Sequence, residues 1–296
     1  MFDLRYHVAS LAAVFFALVI GILVGVALAS HGLSNTERSR LQRQADVANQ
    51  KLDAAREDLV QAQEESRADS AFVDNAYNAI MEDRLQGKRV AVLFIGSVNG
   101  DIVKAINRTL SDGGAPQELR ERAVTVPLDD AAIDGILKKR QQLATYSGPD
   151  KLDDLGRELA DEFVIGGDTP FWDALQNKLV EARSGSMRRP ADAVIVVRSA
   201  QPQMDGTARF LHGLYSELSG RPIPVIGVET SNAKPSTVPV FKKYSISSVD
   251  NVDTKVGQVA LALLLSDAPG GAYGTKSTAT DVMPAVVPVS TPGAGG

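Results

Sequence analysis

One uninterrupted apolar run constrains this chain more than any other feature. Residues 8–29 carry no charge, and Ser10 is their single hydroxyl side chain. A helix rises 1.5 Å per residue, so a run of this length reaches about 33 Å, enough to cross a hydrocarbon core of roughly 30 Å. We therefore expect residues 1–30 to form a transmembrane anchor in contact with the lipid bilayer.

Two other interpretations of the run stay open. Ala27, Leu28 and Ala29 resemble the A-x-A site of a cleavable signal peptide. Against cleavage, the run is longer than the usual signal core of about 7–15 residues, and Asp3 offsets the positive charge of Arg5. A core helix of a soluble protein is disfavoured because no polar residue breaks the run. We therefore expect an uncleaved, single-pass anchor.

The flanking charges leave open on which side of the membrane the rest of the chain lies. Arg5 precedes the run, whereas Arg38, Arg40 and Arg43 follow it. The positive-inside rule by itself would place the long C-terminal part in the cytoplasm. Long domains, however, are translocated largely regardless of such charges.

A long helix is expected after the anchor. Residues 34–66 contain no Pro or Gly, and their apolar residues recur at alternating steps of four and three, as in the a/d seam of a coiled coil. The seam consists of Leu41, Ala45, Ala48, Leu52, Ala55, Leu59 and Ala62. We expect a coiled-coil stalk over residues 31–87, ended by Gly87, that pairs with its own copy or with another protein's helix. The alternative is a solitary amphipathic helix packed on the globular domain.

Beyond Lys88, short apolar runs alternate with helical stretches. The predicted strands are residues 90–95, 123–126, 193–197, 225–228 and 244–247, and the clearest helices are residues 101–110, 206–218 and 254–265. Such alternation favours a mostly parallel, Rossmann-like α/β sheet over residues 88–283. Residues 135–183 are predicted to be a mainly helical insertion. The Pro/Gly/Ser-rich tail of residues 284–296 is predicted to be disordered.

Ligands of such sheets bind at the carboxyl ends of the strands. The pocket candidates expected there are Gly96, Ser97, Asn99, Gly100, Arg198 and Glu229. The sequence has neither the G-x-G-x-x-G arrangement nor the P-loop motif, so ordinary turn residues are the alternative interpretation. Asp250 and Asp253 precede the last predicted helix, and we interpret them as charges that favour its dipole.

Composition excludes several classes of function. The chain has no Cys, which rules out disulfides, Fe–S clusters, thiolate zinc and a Cys nucleophile. Its net charge is −5 without clustered Lys and Arg, so no nucleic-acid partner is expected. No Ser/His/Asp constellation is recognisable, and His212 lies in an apolar helical stretch that favours packing over catalysis. We therefore expect neither an enzyme nor a cofactor.

A copper ion would have to use His and Met side chains. The chain has three His and five Met, and the candidate pair is Met204 with His212. Eight residues of helix separate the two by about two turns, too far for one ion without further ligands. Met204 and His212 are therefore candidates for a metal site only in combination with other groups.

Four segments resemble one family of actinobacterial envelope proteins. They are residues 5–25 (RYHVASLAAVFFALVIGILVG), the helical stalk, residues 249–265 (VDNVDTKVGQVALALLL) and residues 270–284 (GGAYGTKSTATDVMP). Together they are similar to the mycobacterial copper transport protein B family, MctB, over about residues 5–284. The resemblance implies a copper transport or outer-membrane channel protein whose soluble part lies outside the cytoplasm. Related corynebacterial proteins imply a role in cell separation with a partner membrane protein.

The residues and this family description disagree in one respect. A channel through an outer membrane needs a closed barrel of alternating segments of about ten residues, whereas this sequence shows one apolar helix, a predicted coil and buried strands. Copper is therefore expected only because the resemblance implies it, with a role in copper efflux or homeostasis. The alternative function is a non-enzymatic coiled-coil scaffold that recruits or regulates a cell-wall or cell-division partner.

Overall fold

The computed structural model describes residues 4–30, 35–115 and 120–286, and the chain divides into two units, Met1–Asp69 and Ser70–Gly296. Helix α1, Leu4–Ser30, contains a stretch long and apolar enough to cross a membrane, Ser10–Ala27. Every residue of that stretch is exposed. A core helix would instead be buried, so the predicted N-terminal apolar helix is confirmed as a candidate membrane anchor.

Helix α2, Asn35–Met81, is 47 residues long and contains the whole predicted seam. The seam residues are all exposed in the single chain, and their pairing in a coiled coil stays a prediction. The helix ends at Met81, and residues 82–87 form turns, so the helix stops short of Gly87, where we predicted its end. The last turns of α2 belong to the second unit, where Tyr77 and Met81 are buried.

The second unit is built on a mostly parallel sheet, as predicted. Its strands are β1 (Val90–Ile95), β2 (Arg120–Val124), β3 (Val180–Gly185), β4 (Ala193–Arg198), β5 (Val225–Val228), β6 (Ser247–Val249) and β7 (Ala272–Tyr273). In space they follow the order β3-β2-β1-β4-β5-β6-β7. Every neighbouring pair is parallel except β2 with β3, which is antiparallel. The finer Rossmann-like classification stays a prediction.

Helices cover both faces of this sheet. They are α3 (Gly100–Asp112), α4 (Asp130–Lys138), α5 (Leu152–Ile165), α6 (Pro170–Leu175), α7 (Asp205–Ser219), α8 (Val238–Lys243) and α9 (Lys255–Leu265), with two 3-10 turns at Ala144–Tyr146 and Pro149–Lys151. Alternate residues of β1 enter two different cores, one packed with α5 and α7 and the other with α3 and α9. This burial on both faces explains the continuous apolar run of β1.

The structure shifts two predicted strands. β2 begins at Arg120, not at residue 123, because two arginines occupy alternate buried positions of the strand. The last predicted strand lies at Ser247–Val249, since Val238–Lys243 forms α8 and Tyr244 caps that helix. The predicted insertion of residues 135–183 includes most of β3, an edge strand that its charged sequence conceals.

The predicted boundaries of the stalk, the α/β domain and the tail, at residues 87/88 and 283/284, stay predictions. Residues 287–296 of the predicted disordered tail lie outside the described residues.

Candidate functional site

A cleft of about 230 Å³ opens at the carboxyl ends of β1, β4 and β5. Four of the six predicted pocket residues line it: Ser97, Asn99, Arg198 and Glu229. Ser199, Thr230, Asn232 and Lys234 add further polar groups, and Ile102, Val197 and Val228 form apolar wall. Gly96 and Gly100 are next to lining residues in the sequence but do not themselves line the cleft. The strand ends therefore bring most of the predicted residues together.

The turn after β1 is shaped by Gly96 and Asn99. Gly96 has φ +74°, and a Cβ there would lie 2.8 Å from Val126 Cγ2 and 3.1 Å from Ser199 Cβ. Only glycine permits this close approach of neighbouring loops. Asn99 caps α3, because its side-chain oxygen accepts a hydrogen bond from the Asp101 backbone N–H at 3.0 Å. The N-terminus of α3 thus begins at the rim of the cleft.

Arg198 is the last residue of β4, and its guanidinium donates a hydrogen bond to a backbone carbonyl. Its Nε donates to the Ser199 carbonyl at 3.1 Å, and its Cζ lies 5.9 Å from the centre of the Tyr215 ring. Burial raises the pKa of the Tyr215 phenol to about 12, so the ring stays neutral beside the cation. No carboxylate of the described residues lies within ion-pair distance of Arg198.

Glu229, at the end of β5, is only 3% exposed, and its carboxylate is fully engaged. One oxygen accepts from Ser236 Oγ at 2.7 Å and from Lys276 Nζ at 2.6 Å. The other accepts from the backbone N–H and the hydroxyl of Thr237, at 2.5 and 2.7 Å. Lys276 Nζ also donates to the carbonyls of Thr230 and Ala233. Glu229 is therefore a wall of the cleft whose hydrogen-bonding capacity is already used.

Asp250 follows β6 and is completely buried. We predicted that its charge favours the dipole of the last helix, and this prediction was wrong. Its two oxygens accept backbone N–H bonds from Thr275 at 2.9 Å and Lys276 at 3.0 Å. The N-cap of α9 is instead Thr254, whose hydroxyl accepts from the Gly257 N–H. Asp253 likewise binds a loop, accepting from the N–H and hydroxyl of Ser231.

These contacts fasten residues 270–284, which we call the strap, across the edge of the sheet. Gly274 in the strap has φ +142°, and a Cβ there would lie 1.9 Å from Asp250 Oδ1. β7, which belongs to the strap, pairs with β6. Sequence reasoning missed this arrangement because Asp250, Glu229 and Lys276 are distant in the chain; the only available signal was two acids at strand ends.

The two candidate metal ligands, Met204 and His212, lie in different surroundings. Met204 is 74% exposed just before α7. His212 lies further along α7, and its Nδ1 is 2.6 Å from Asp153 Oδ1. Among the residues that the structure describes, no group of three or more His, Asp or Glu side chains is placed to hold an ion.

Two further sets of buried charges escaped sequence analysis. Arg120 and Arg122 are bound by backbone carbonyls, including those of Phe163 and Ser184, and burial lowers the pKa of each guanidinium to about 10. They fasten β2 to α5 and β3. In the sequence, the only indication of these two buried arginines was a charged segment that precedes a predicted strand.

Glu162 in α5 caps the next helix from a distance. Its two oxygens accept the backbone N–H groups of Phe171 and Trp172, at 3.0 and 3.1 Å. Burial is the main cause that raises the pKa of the Glu162 carboxyl to about 7, while these two hydrogen bonds oppose the rise. Trp172, the single tryptophan of the chain, is fully buried beside it.

A comparison with known proteins shows the family to which the chain belongs. Residues 1–284 match the family model described as "Copper transport outer membrane protein, MctB". The chain belongs to the MctB family. Proteins named "Copper transporter MctB" from Mycobacterium bovis and Mycobacterium tuberculosis are 26% identical to it over an alignment of 324 positions. The alignment covers 95% of this chain and 99% of each relative.

The MctB match covers the anchor, α2 and the α/β unit together. It also explains why two separate sequence blocks resembled the MctB family. Residues 249–265 contain Asp250, residues 270–284 contain Lys276, and the backbone of the second block is bound by the carboxylate of the first. In this chain the second block, the strap, is thus fastened to the first block.

Proposed function

We propose that this chain is a single-pass envelope protein that acts in copper efflux or copper homeostasis, with its α/β unit outside the cytoplasm. The observation that carries the proposal is the MctB match over residues 1–284, which spans every part of the chain from the anchor to the strap. The exposed apolar stretch Ser10–Ala27 supports membrane attachment. No catalytic step is part of the proposal.

The proposed role of α1 is that of a tether. One helix encloses no pore, so a single copy of Ser10–Ala27 offers copper no path through the bilayer. Soft copper ions prefer thiolate, thioether and imidazole ligands, and this chain has no Cys. Met204 is exposed just before α7, and His212 on α7 is already in contact with Asp153. We therefore propose that the protein supports copper export through other proteins, with copper as the cargo of the system.

The first test measures copper in cells. Removal of the gene should raise cellular copper and copper sensitivity, and the full chain should reverse both. A Met204→Leu/His212→Gln variant should also reverse them, because the proposal gives these side chains no copper-binding role. Unchanged copper content after gene removal would overturn the copper assignment.

A second test fixes the side of the membrane. A reporter fused after residue 286 that is active only outside the cytoplasm should be active, and the same reporter fused to a variant lacking residues 8–29 should be silent. Activity of a cytoplasm-specific reporter instead would overturn the proposed placement and with it the envelope role.

For α2 we propose pairing with another helix, either of a second copy or of a partner protein that the chain recruits or regulates. The seam residues Leu41, Leu52 and Leu59 are 55%, 49% and 59% exposed, an apolar stripe that water disfavours. Coiled-coil pairing would bury this stripe. The same pairing underlies the scaffold alternative.

The pairing test uses two matched double variants. Leu52→Asp/Leu59→Asp should abolish crosslinking between helices in the membrane. Ala54→Asp/Gln61→Asp places the same charges at the same spacing on the opposite helix face and should leave crosslinking intact. Equal crosslinking by both variants would contradict pairing through the seam.

A further inference from the structure

We propose that the cleft at the carboxyl ends of β1, β4 and β5 is a binding site for a small anion, a carboxylate or a phosphate. This proposal does not depend on copper handling. It starts from the charged residues that line the cleft: Arg198 and Lys234 are cationic, and Glu229 is the single acid among the described lining residues.

Glu229 does not cancel the positive charge of the other two. Both of its oxygens are occupied by Ser236, Thr237 and the ammonium of Lys276, which neutralises the carboxylate locally. In contrast, neither Arg198 nor Lys234 forms an ion pair with any carboxylate of the described residues. The charge left for a ligand is therefore positive.

Neutral donors complete the lining. Ser97, Ser199 and Asn232, whose side chains carry hydroxyl or amide donors, belong to the same lining. Chain order reverses between β1 and β4, because β2 lies on one side of β1 and β4 on the other. At such a point the loops after the two strands diverge, and the crevice between them is where open α/β sheets bind ligands.

The size of the cleft restricts the ligand. Pockets for drug-sized molecules occupy about 300–1,000 Å³, more than the 230 Å³ available here. The glycine pattern that brings backbone against a pyrophosphate is missing from the first turn, which reads Gly96-Ser97-Val98-Asn99-Gly100. A dinucleotide therefore does not fit. A single anionic group on Arg198 and Lys234, with a short apolar or hydroxylated part against Ile102 and Val228, does.

The experiment is calorimetric titration of the full chain in a neutral detergent with inorganic phosphate and, separately, with succinate. We expect saturable binding of at least one anion in the millimolar range or tighter, weakened by added salt. Arg198→Ala should weaken binding about tenfold, and Lys234→Gln several-fold, since each removes a charge-assisted contact. Lys242→Gln changes an equally exposed lysine on α8 and should leave affinity unchanged.

A second variant guards against a loss of fold. Ser199→Asp keeps Arg198 and adds a carboxylate to the cleft, so it should abolish anion binding while the emission of Trp172, in another part of the unit, stays native. Absence of saturable binding by both anions in the unmodified chain would overturn the proposal. So would binding that Arg198→Ala, Lys234→Gln and Ser199→Asp all leave unchanged, because the anion would then bind elsewhere.

Discussion

At the carboxyl-terminal edge of the sheet, the polar residues after β5 and β6 have a different role from those after β1 and β4. At the closed end, after β5 and β6, Glu229 and Asp250 are buried and bound by the strap. At the open end, after β1 and β4, Ser97 and Arg198 line a cleft. Both ends offer the polar strand-end residues that suggest a ligand site. The difference lies in whether the chain itself supplies the partner: Glu229 and Asp250 are already bound by the strap, whereas Ser97 and Arg198 line a cleft that an outside molecule can enter.

Breaking the closed end should have the largest effect. Lys276→Met leaves Glu229 as a buried carboxylate without its ammonium partner, and such a loss costs about 3–5 kcal/mol in the free energy of unfolding. Urea unfolding of the full chain in detergent, followed by Trp172 fluorescence, measures it.

Adding Glu229→Gln to Lys276→Met should recover part of the loss, because the buried group is then neutral. Lys242→Met serves as the control for removing an exposed lysine and should change stability little. A Lys276→Met protein as stable as the parent would show that the contact between Lys276 and Glu229 contributes nothing to the free energy of unfolding.

Two glycine substitutions, one at each end, allow the stability of the two ends to be compared directly. Gly274→Ala forces a side chain into a left-handed backbone position and against Asp250, and should cost about 2–4 kcal/mol. Gly100→Ala at the open end meets no atom within 4 Å and should change the free energy of unfolding by less than about 0.5 kcal/mol. The same urea experiment distinguishes them, and equal costs would remove the contrast between a closed and an open end.

Glu162 is another buried carboxylate, and it differs from Glu229 because it accepts hydrogen bonds from two backbone N–H groups but has no ammonium partner among the described residues. Its pKa is about 7 in the folded protein and near 4.5 when exposed, so between those values the folded state binds more protons than the unfolded state. The free energy of unfolding should therefore fall by roughly 1–3 kcal/mol as the pH rises from 4.5 to 7 and then level off.

Urea midpoints at a series of pH values test this dependence. Glu162→Gln should flatten the curve in that window, whereas Glu181→Gln, at an exposed position of β3, should retain it. A slope that survives Glu162→Gln would assign the pH dependence to another group.

Parts of the molecule that follow from local pattern were predictable. The strands β1, β4 and β5 read as apolar runs because burial on both faces admits no polar residue. The N-terminal apolar helix followed from length and absence of charge, and the position of Ser97, Asn99 and Arg198 beside a cleft followed from their place after parallel strands.

The rest depended on contacts between distant residues. Arg120 and Arg122 break the apolar pattern of β2 because carbonyls from α5 and β3 accept hydrogen bonds from their guanidinium groups, and neither carbonyl is visible in the local sequence. Asp250 looked like a helix charge because its partners, the N–H groups of Thr275 and Lys276, come 25 and 26 residues later. Local sequence can suggest that a polar residue matters, but tertiary structure decides which group it serves.

The strap also bears on the synthesis of the protein. Because β7 is made after β6, a nascent chain that has reached only the end of α9 presents β6 as a parallel edge with unpaired backbone groups. Such edges pair with other chains and promote aggregation. A product that stops before Ala272 would thus lose more than two residues of strand: it would expose the carboxylates of Asp250 and Glu229 and leave the sheet open to self-association.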